Sequence, residues 1–417
     1  MSSLVRKIFV LSLTIMTNLP KGTKGLNIAV LGTGIAGSTA SRYLAEAGIK
    51  VTVFECGRGI GGRTSTRITR DEHRLSFDHG AQYIGRPKSE EFRVALEEWE
   101  TNGFIKKWNG KFVNVDIMTS SENALISPED PDKEHYVGYP AMHSICRNLL
   151  HHQNIRVVLQ TRACATCDNS VGGGPCSWNL ISQKGRKDLG TFDWLVGSDR
   201  LSATNNRADM RSAPLDAFKD YVSSIESVPS LTLMVAFESP LKGINLDGIN
   251  FMDTNDDEGS ILGWAARDTS KPGRARQDGK ECWVVQSNPK IAKKLITKMN
   301  KKGNSFESTR ENVKDKAKEM LLAEFLRVLP KISDDSGTMK IPKVISAVGH
   351  RWSAAFPIVS QQGGEDKCFT DFNNRFVACG DYCGKYTGRI EGAFLSGKAA
   401  ADTIISEINT NDNEEIS

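Results

Sequence analysis

The sequence lacks the features that mark several classes of protein. Its charges nearly balance, with 54 basic and 50 acidic residues and a formal net charge of +4, so charge gives no reason to expect a nucleic-acid-binding surface. The 417 residues contain no internal repeat and no long low-complexity tract. A composition of 39% hydrophobic and 25% charged residues is ordinary for a globular protein. We therefore expect small-molecule chemistry and no nucleic-acid partner.

Cysteine is present without a pattern. The nine cysteines are an odd number without regular spacing, which argues against a disulfide scaffold and favours a reducing compartment, cytoplasmic or organellar. The one Cys-x-x-Cys pair, Cys164 and Cys167, has no second pair and no paired histidines to complete a zinc site. We therefore expect no metal site.

Hydrophobic runs long enough to cross a membrane are also missing. The apolar run from Ile8 to Met16 follows Arg6 and Lys7 and is too short to span a bilayer. A basic start followed by a short apolar run is typical of a cleavable presequence or signal. Residues 1–25 are expected to be either a targeting segment or a disordered terminus, and no stable membrane insertion is expected.

The most specific stretch is NIAVLGTGIAGSTASRYLAEAGIKVTVFE, which begins at Asn27. It predicts an apolar strand, a glycine turn, a helix and a second strand that ends at Glu55. In such a turn Gly32 permits the tight bend, Gly34 lets a pyrophosphate approach the backbone, and Gly37 lets the helix pack on the strand. Glu55 is placed to accept hydrogen bonds from an adenosine ribose. The stretch therefore predicts dinucleotide binding.

A second glycine turn, GRGIGGRTST, follows the ribose acid. It supplies Gly62 together with Arg58 and Arg63, whose planar guanidinium groups suit phosphate oxygens. The pattern resembles the FAD-binding side of the glutathione-reductase-like flavoproteins, where Gly-Gly-Arg follows the acid. FAD is therefore expected as the cofactor rather than NAD.

Further blocks occur in order over most of residues 27–405. They are FDHGAQYIG, YVGYPAMHSICRNL, LGWAARDTSKPGR, ECWVVQSNP, GHRWSAAFP and CGDYCGKYTGRIEGAFLSGKAAA. Together they resemble the renalase-like branch of the FAD-dependent amine oxidase superfamily. The resemblance implies an α/β fold, with a Rossmann-type, glutathione-reductase-like FAD-binding domain and an inserted α+β substrate domain.

The same resemblance assigns cofactor contacts beyond the glycine turns. Ala36 would contact FAD in the first loop, and Arg63, Gln82 and Tyr83 would lie near the flavin. Asp381 would bond the ribitol or pyrophosphate region. These roles are expectations that come from the family pattern and not from the residue spacing.

The glycine-rich stretch near the end of the chain is expected to form the far half of the FAD site. The resemblance implies that the turn of Arg389, Glu391 and Gly392 brings backbone amides and a helix N-terminus to the flavin N1/C2=O edge, where negative charge accumulates on reduction. On this interpretation the glycines are needed because side chains would hold the isoalloxazine away. The alternative is a helix start whose glycines serve packing only.

One stretch departs from the family pattern. Relatives usually have an apolar turn before the second domain, whereas this chain reads Val196-Gly197-Ser198-Asp199. The segment from Gly197 to Asn206 is closer to the Asp-containing loop of flavin aromatic hydroxylases. It leaves open how the substrate domain joins at this point.

Because cofactor-binding blocks lie at both ends of the chain, the substrate domain is expected to be inserted. The expected FAD-binding domain comprises residues 27–85, 140–200 and 345–408. The expected substrate domain comprises residues 86–139 and 201–344, with strands near Leu231–Phe237, Ile261–Ala265 and Cys282–Gln286. Residues 409–417 are expected to be a disordered tail.

The resemblance implies an oxidase that takes a hydride from a small donor to flavin N5 and passes the electrons to O2, which forms H2O2. The donor implied is a dihydronicotinamide isomer of the NAD(P)H type. His79 and Trp352, with Tyr83, are the candidate residues of the substrate face, although a lone histidine is more often structural. An FAD-dependent amine oxidase, a flavin hydroxylase and an inert FAD-binding module remain as alternatives.

Overall fold

The computed structural model describes residues 25–117, 124–168, 176–200, 215–252, 260–300, 306–334, 339–358 and 366–414. The expected targeting segment therefore lies outside the described residues except for Gly25, and so do residues 201–206 of the atypical segment. Within the described ranges, no helix combines the length and the apolar composition that a bilayer crossing requires.

The strands and helices follow each other along the whole chain. The strands are β1 Asn27–Leu31, β2 Lys50–Phe54, β3 Thr66–Ile68, β4 Ser76–Asp78, β5 Ile84–Gly85, β6 Ile105–Lys107, β7 Phe112–Asp116, β8 Leu125–Pro128, β9 His135–Gly138, β10 Ile155–Val158, β11 Ala163–Asp168, β12 Ser177–Ser182, β13 Asp188–Phe192, β14 Trp194–Gly197, β15 Glu226–Phe237, β16 Gly248–Phe251, β17 Leu262–Arg267, β18 Glu281–Ser287, β19 Val344–Ile358, β20 Phe369–Asp371 and β21 Phe376–Ala378. The helices are α1 Ile35–Glu46, α2 Glu90–Thr101, α3 Ser144–Leu149, α4 Asp216–Ser223, α5 Pro289–Asn300, α6 Phe306–Val328 and α7 Ile390–Glu414.

The described residues form two compact units, and the chain passes between them four times. The first unit takes the described parts of Met1–Gly62, Cys146–Ile225 and Val359–Ser417. The second unit takes the described parts of Arg63–Ile145 and Glu226–Ile358. Neither unit is continuous in sequence.

The first unit is built on a six-stranded sheet in the order β10-β2-β1-β14-β21-β20. All neighbours are parallel except β20, which is antiparallel to β21. The central strands read as nearly continuous apolar runs, as expected for parallel strands that are covered on both faces. This arrangement confirms the predicted Rossmann-type α/β fold and the predicted β1-α1-β2 order.

The second unit is built on a seven-stranded sheet in the order β19-β15-β18-β17-β16-β7-β8. Neighbours are antiparallel except β16 and β7. One face of this sheet packs against α5 and α6 and forms a large apolar core. Leu233 and Trp283 of the sheet and Phe325 of α6 belong to this core. The three strands predicted by sequence correspond to β15, β17 and β18.

Several sequence-based boundaries differ from those of the compact units. Residues 63–85, 140–145 and 345–358 were assigned to the cofactor-binding domain but lie in the second unit, whereas 215–225 lie in the first. A glycine turn gives a sharp local signal, but unit membership depends on sheet partners far along the chain. The division falls between Gly62 and Arg63, inside one motif.

One further expectation is corrected, and one cysteine pair is added. Helix α7 continues to Glu414, so residues 409–414 are helical rather than part of a disordered tail; Ile404 and Ile408 hold the preceding turns in the core. The cysteine spacing argued against a disulfide scaffold, but Cys167 and Cys176, at one end of the β11–β12 hairpin, have Cα atoms 5.7 Å apart, a separation that a disulfide spans. Spacing alone did not reveal this proximity, because it depends on the pairing of β11 with β12, in which Cys167 lies opposite Trp178.

Candidate functional site

The first glycine turn lies between β1 and α1 in the first unit. Gly32 has a φ of +103°, a conformation that favours glycine. A Cβ at Gly37 would lie 2.2 Å from the Gly32 carbonyl oxygen, so the helix approaches the turn too closely for any side chain. A Cβ at Gly34 would meet no neighbouring atom of the described residues within 4 Å, which leaves open space over the backbone at the start of α1.

Thr33 joins this turn to the acid at the end of β2. Its amide and its hydroxyl donate to Glu55 Oε2 at 3.1 and 2.6 Å. The Gly57 amide donates to Glu55 Oε1 at 2.6 Å. Thr33 O also accepts a hydrogen bond from the amide of Gly61 in the second glycine turn, at 3.1 Å. The acid and both turns are therefore one hydrogen-bonded assembly.

The second glycine turn packs directly on the first. Gly62 has a φ of +54°, and a Cβ there would lie 3.3 Å from Gly34 Cα. Arg58 is exposed in the first unit. Arg63, the next residue after Gly62, belongs to the second unit, where its guanidinium donates to the Ala355 carbonyl at 3.0 Å.

Ser198 of the atypical segment packs against the first glycine turn. The Ser198 hydroxyl donates to the Leu31 carbonyl oxygen at 2.6 Å. A Cβ at Gly32 or Gly37 would lie within 2.8 Å of the Ser198 hydroxyl oxygen, so this serine occupies the space that the two glycines leave. Ser198, at which the sequence departs from the family pattern, therefore fills space in the packing of the first glycine turn.

The late glycine-rich stretch surrounds the start of α7. Asp381 is buried, and its carbonyl oxygen accepts from the Gly388 amide at 2.9 Å. The Arg389 guanidinium donates to the buried carboxylate of Glu391 at 3.3 Å. The glycines Gly384 and Gly388 have φ near +70° and shape the turn before the helix.

Gly392 has a physical reason different from the expected one. A Cβ there would lie 2.0 Å from the Tyr386 carbonyl oxygen, within the protein's own loop. Gly397 is similar, since its Cβ would lie 2.3 Å from the carbonyl oxygen of Ala36 on α1. Close packing of backbone on backbone is sufficient to require both glycines.

In the second unit, the expected substrate-face residues lie together. The His79 ring is 4.8 Å from that of His350 and 5.2 Å from that of Trp352. Trp352 Nε1 donates to the His79 carbonyl oxygen at 2.9 Å. Burial and the positive charge of Arg67 lower the pKa of His79 to about 4, although Asp78 acts in the opposite direction.

Gln82 and Tyr83 lie on the loop between β4 and β5. Gln82 is buried; its amide nitrogen donates to the carbonyl oxygens of Asp78 and Gly80, and its oxygen accepts from Lys271 Nζ at 3.4 Å. The Tyr83 ring lies between His135 and Trp264, at 4.3 and 5.4 Å. These contacts hold both side chains within the second unit.

Sequence reasoning missed a buried group of charges behind this loop. Lys271 Nζ lies 2.7 Å from Asp268 and 3.4 Å from Asp78, and Arg274 donates to Asp78 at 2.5 Å. Burial raises the pKa of Asp268. For Asp78 burial acts in the same direction, but Lys271 and Arg274 outweigh it and lower the pKa. The available signal was the three charged residues Asp268, Lys271 and Arg274 within the seven residues DTSKPGR.

The chain has recognisable relatives in two segments. Residues 30–99 match the family described as NAD(P)-binding Rossmann-like domain, and residues 305–405 match the family described as flavin containing amine oxidoreductase. Amine oxidase [flavin-containing] A of Bos taurus is 35% identical over 80 residues, which are 18% of this chain and 15% of that protein. Tryptophan 2-monooxygenase of Allorhizobium ampelinum is 35% identical over 75 residues, or 18% of this chain and 10% of that protein.

Solved structures share the fold over nearly the whole chain. A putative protoporphyrinogen oxidase from Exiguobacterium sp. 255-15 has a TM-score of 0.61 at 12% identity and covers 92% of this chain and 100% of its own. Cyclohexylamine oxidase from Brevibacterium oxydans has a TM-score of 0.60 at 14% identity, with 92% and 99% covered. The chain therefore shares its fold with these oxidases, and residues 305–405 are similar to the flavin containing amine oxidoreductases.

The match of residues 305–405 to the flavin containing amine oxidoreductases supports the expected FAD cofactor and the expected class of flavin-dependent oxidoreductases. The renalase-like branch is not identified by these matches. The aligned segments span a small part of the curated relatives, 15% in the bovine case, so their substrates do not carry over to this chain.

The first unit fits the adenosine and pyrophosphate parts of FAD. The space over Gly34 is where a phosphate can approach backbone amides at a helix N-terminus. Glu55 offers carboxylate oxygens to ribose hydroxyls, although a ribose would have to compete with the Thr33 hydroxyl. Among the described residues no three His, Cys, Asp or Glu side chains are grouped so that they could hold a metal ion.

Proposed function

We propose that the protein is an FAD-dependent oxidase of a small organic donor, with dioxygen as the electron acceptor. The observation that carries this proposal is the assembly of Gly34, Gly62 and Glu55 around one open stretch of backbone in the first unit. Two adjoining glycine turns and a ribose acid suit a dinucleotide cofactor. When bound, FAD accepts a hydride from the donor at N5 and passes two electrons to dioxygen, which leaves as hydrogen peroxide.

The residues of the first unit would bind the cofactor without taking part in bond making. The amides from Gly32 to Gly37 and the start of α1 would hold the pyrophosphate, and Glu55 the ribose. Arg58 would pair with phosphate oxygens. Asp381 and the turn from Arg389 to Gly392, which includes Glu391, would contact the ribitol and the pyrimidine edge of the flavin.

The residues of the second unit would orient the donor. We propose a dihydronicotinamide isomer of the NAD(P)H type, whose planar ring suits aromatic side chains such as Trp352 and Tyr83. Arg63, Gln82 and Tyr83 would contact the flavin. Because the pKa of His79 is about 4, this residue is neutral near pH 7 and would contribute an uncharged ring. A hydride donor requires no general base.

A simple amine is the second candidate donor. It is supported by the match of residues 305–405 to the flavin containing amine oxidoreductases. An amine must lose its ammonium proton before it can give a hydride. Amine oxidation would therefore rise with pH through the pKa of the substrate, whereas oxidation of a dihydronicotinamide would not.

The test is anaerobic titration of purified flavin-loaded protein with dihydronicotinamide isomers, ordinary NAD(P)H and amines, with free FAD as the control. We expect a dihydronicotinamide isomer to bleach the flavin band and admission of dioxygen to restore it with one hydrogen peroxide per flavin. Bleaching by amines alone would favour the second candidate. Flavin that no donor reduces would identify an inert binding module, and oxygen insertion into an aromatic acceptor would identify a hydroxylase.

A further inference from the structure

One face of the seven-stranded sheet in the second unit carries a continuous row of polar side chains. Six neighbouring strands each place one residue in register, and these residues are His350, Thr232, Gln286, Trp264, Asn250 and Asn114. The opposite face carries the apolar core. Since side chains alternate between the two faces of a strand, the residues of this row are not part of the apolar core on the opposite face.

The row has hydrogen-bonding capacity that the protein does not use. Within the part of the chain that the structure describes, Trp264 Nε1 is buried without a hydrogen-bond partner, and so is the hydroxyl of Thr232, a residue with 0% exposure. Buried polar atoms without partners are uncommon in folded proteins. The neighbouring Gln286 is already committed, because its amide nitrogen donates to the Gly80 carbonyl at 2.8 Å.

Trp264 lies within a group of aromatic rings. Its ring is 5.4 Å from Tyr83, whose ring is 4.3 Å from His135, and His135 stacks on Phe112 at 3.9 Å. Gly248 makes room for this group, since a Cβ there would lie 2.5 Å from Phe112 and 2.9 Å from Trp264. A planar ligand would find stacking partners and an unused N–H at the same place.

An indole N–H can only donate, so its partner must be an acceptor atom. An ammonium group carries donors alone and would oppose Trp264, whereas a carbonyl oxygen would satisfy it. No residue of the polar row is a lysine, arginine, aspartate or glutamate. The row therefore suits an uncharged ring that carries an acceptor.

We propose that Trp264, which is partly exposed, is the specificity-determining residue of the donor site and that its Nε1 donates to a carbonyl oxygen on an uncharged planar ring. The inference rests on the proposed function, since it assigns the donor to this face. It adds that a carbonyl oxygen on the ring is the feature by which the site selects its donor.

The test measures binding to flavin-loaded protein without turnover. The probes are nicotinamide and 3-methylpyridine, which share a ring and differ in the carbonyl group. We expect the wild type to prefer nicotinamide and Trp264→Phe to reduce that preference about 5- to 10-fold. The matched control is Trp283→Phe on the opposite face, whose indole already donates to Glu281 at 2.7 Å.

Equal binding of the two probes by the wild type, or an unchanged preference in Trp264→Phe, would overturn the proposal. Flavin content and the unfolding midpoint identify a variant that fails to fold, and the preference of the wild type between the two probes then decides. If the probes bind as expected but no donor reduces the flavin, the oxidase proposal fails and the assignment of the binding face stands.

Discussion

At the scale of single residues, the glycines of the two halves of the candidate cofactor site serve different purposes. The place for a side chain at Gly34 is open, whereas the place at Gly392 is filled by the carbonyl oxygen of Tyr386. The fingerprint in the sequence does not distinguish these cases, because both glycines stand near a helix start. Only the distance to the neighbouring backbone separates a glycine kept for a ligand from one kept for packing.

Gly34→Ala and Gly392→Ala should therefore have opposite effects. In Gly34→Ala the added methyl meets no protein atom, so we expect unchanged stability of the flavin-free protein and at least 10-fold weaker FAD binding. In Gly392→Ala the methyl meets backbone at 2.0 Å, so we expect a loss of about 1–3 kcal/mol in the free energy of unfolding. Denaturant unfolding and FAD titration measure the two effects. A stable Gly392→Ala protein without flavin would restore the original interpretation of this turn.

His79 should make the stability of the second unit depend on pH. Its pKa is about 4 in the folded protein and about 6.5 in the unfolded chain. Between these values the unfolded chain binds a proton that the folded protein does not. The stabilisation is therefore complete above about pH 6.5 and is lost as the pH falls through about 4.

We expect the wild type to lose about 2–3 kcal/mol of unfolding free energy between pH 7 and pH 4 on account of this residue. His79→Asn should lose correspondingly less over the same range, because it binds no proton. The exposed His151→Asn is the control and should follow the wild type. Parallel pH profiles for the wild type and His79→Asn would contradict the buried neutral state of His79.

At the scale of elements, local order could be predicted and distant pairing could not. The β1-α1-β2 unit was predicted because its strands, turn and helix occupy fewer than thirty consecutive residues, each with its own signal. Asn288 is likewise a local signal, because it directly precedes α5 and its side chain accepts from the Lys290 amide at 2.8 Å. Lys271 and Asp78, by contrast, are 193 residues apart, and no local pattern connects them.

The buried charges of Asp78, Asp268, Lys271 and Arg274 connect β4 with the segment after β17. Removing one charge should lower the free energy of unfolding strongly, whereas removing a matched pair should lower it less. Lys271→Met leaves Asp268 buried without its closest cation, so we expect a loss of about 3–5 kcal/mol in the free energy of unfolding. Lys271→Met combined with Asp268→Leu removes both charges and should recover much of this loss. Denaturant unfolding of both variants measures the difference.

The control for this prediction is Lys316→Met on α6. Lys316 pairs with Glu319 at 3.2 Å, but both side chains are more than half exposed, so a change below about 1 kcal/mol is expected. If Lys271→Met costs no more than Lys316→Met, the buried group does not stabilise the loop that carries Gln82 and Tyr83.

At the scale of the whole molecule, the two units depend on strands from distant parts of the chain. In the seven-stranded sheet, β7 and β8 come from the segment before Ile145, while the other five strands come from 226–358. Leu75 and Phe77, from the earlier segment, pack on Met234 and Val284 of the sheet. The continuous stretch 226–358 alone therefore lacks the strands β7 and β8 at one edge of the sheet. It also lacks Leu75 and Phe77, which cover part of one face.

Residues 226–358 expressed alone should consequently fail to form a stable unit. Without β7, the buried Ile249 and Phe251 of β16 become part of an exposed edge, and such edges favour aggregation. The polypeptide 63–145 joined by a flexible linker to 226–358 contains every described strand of this sheet and should unfold cooperatively. Circular dichroism with denaturant compares the two polypeptides at equal concentration. A cooperative transition for 226–358 alone would mean that the sheet is completed without β7, and that the interleaving of the chain is not required for its stability.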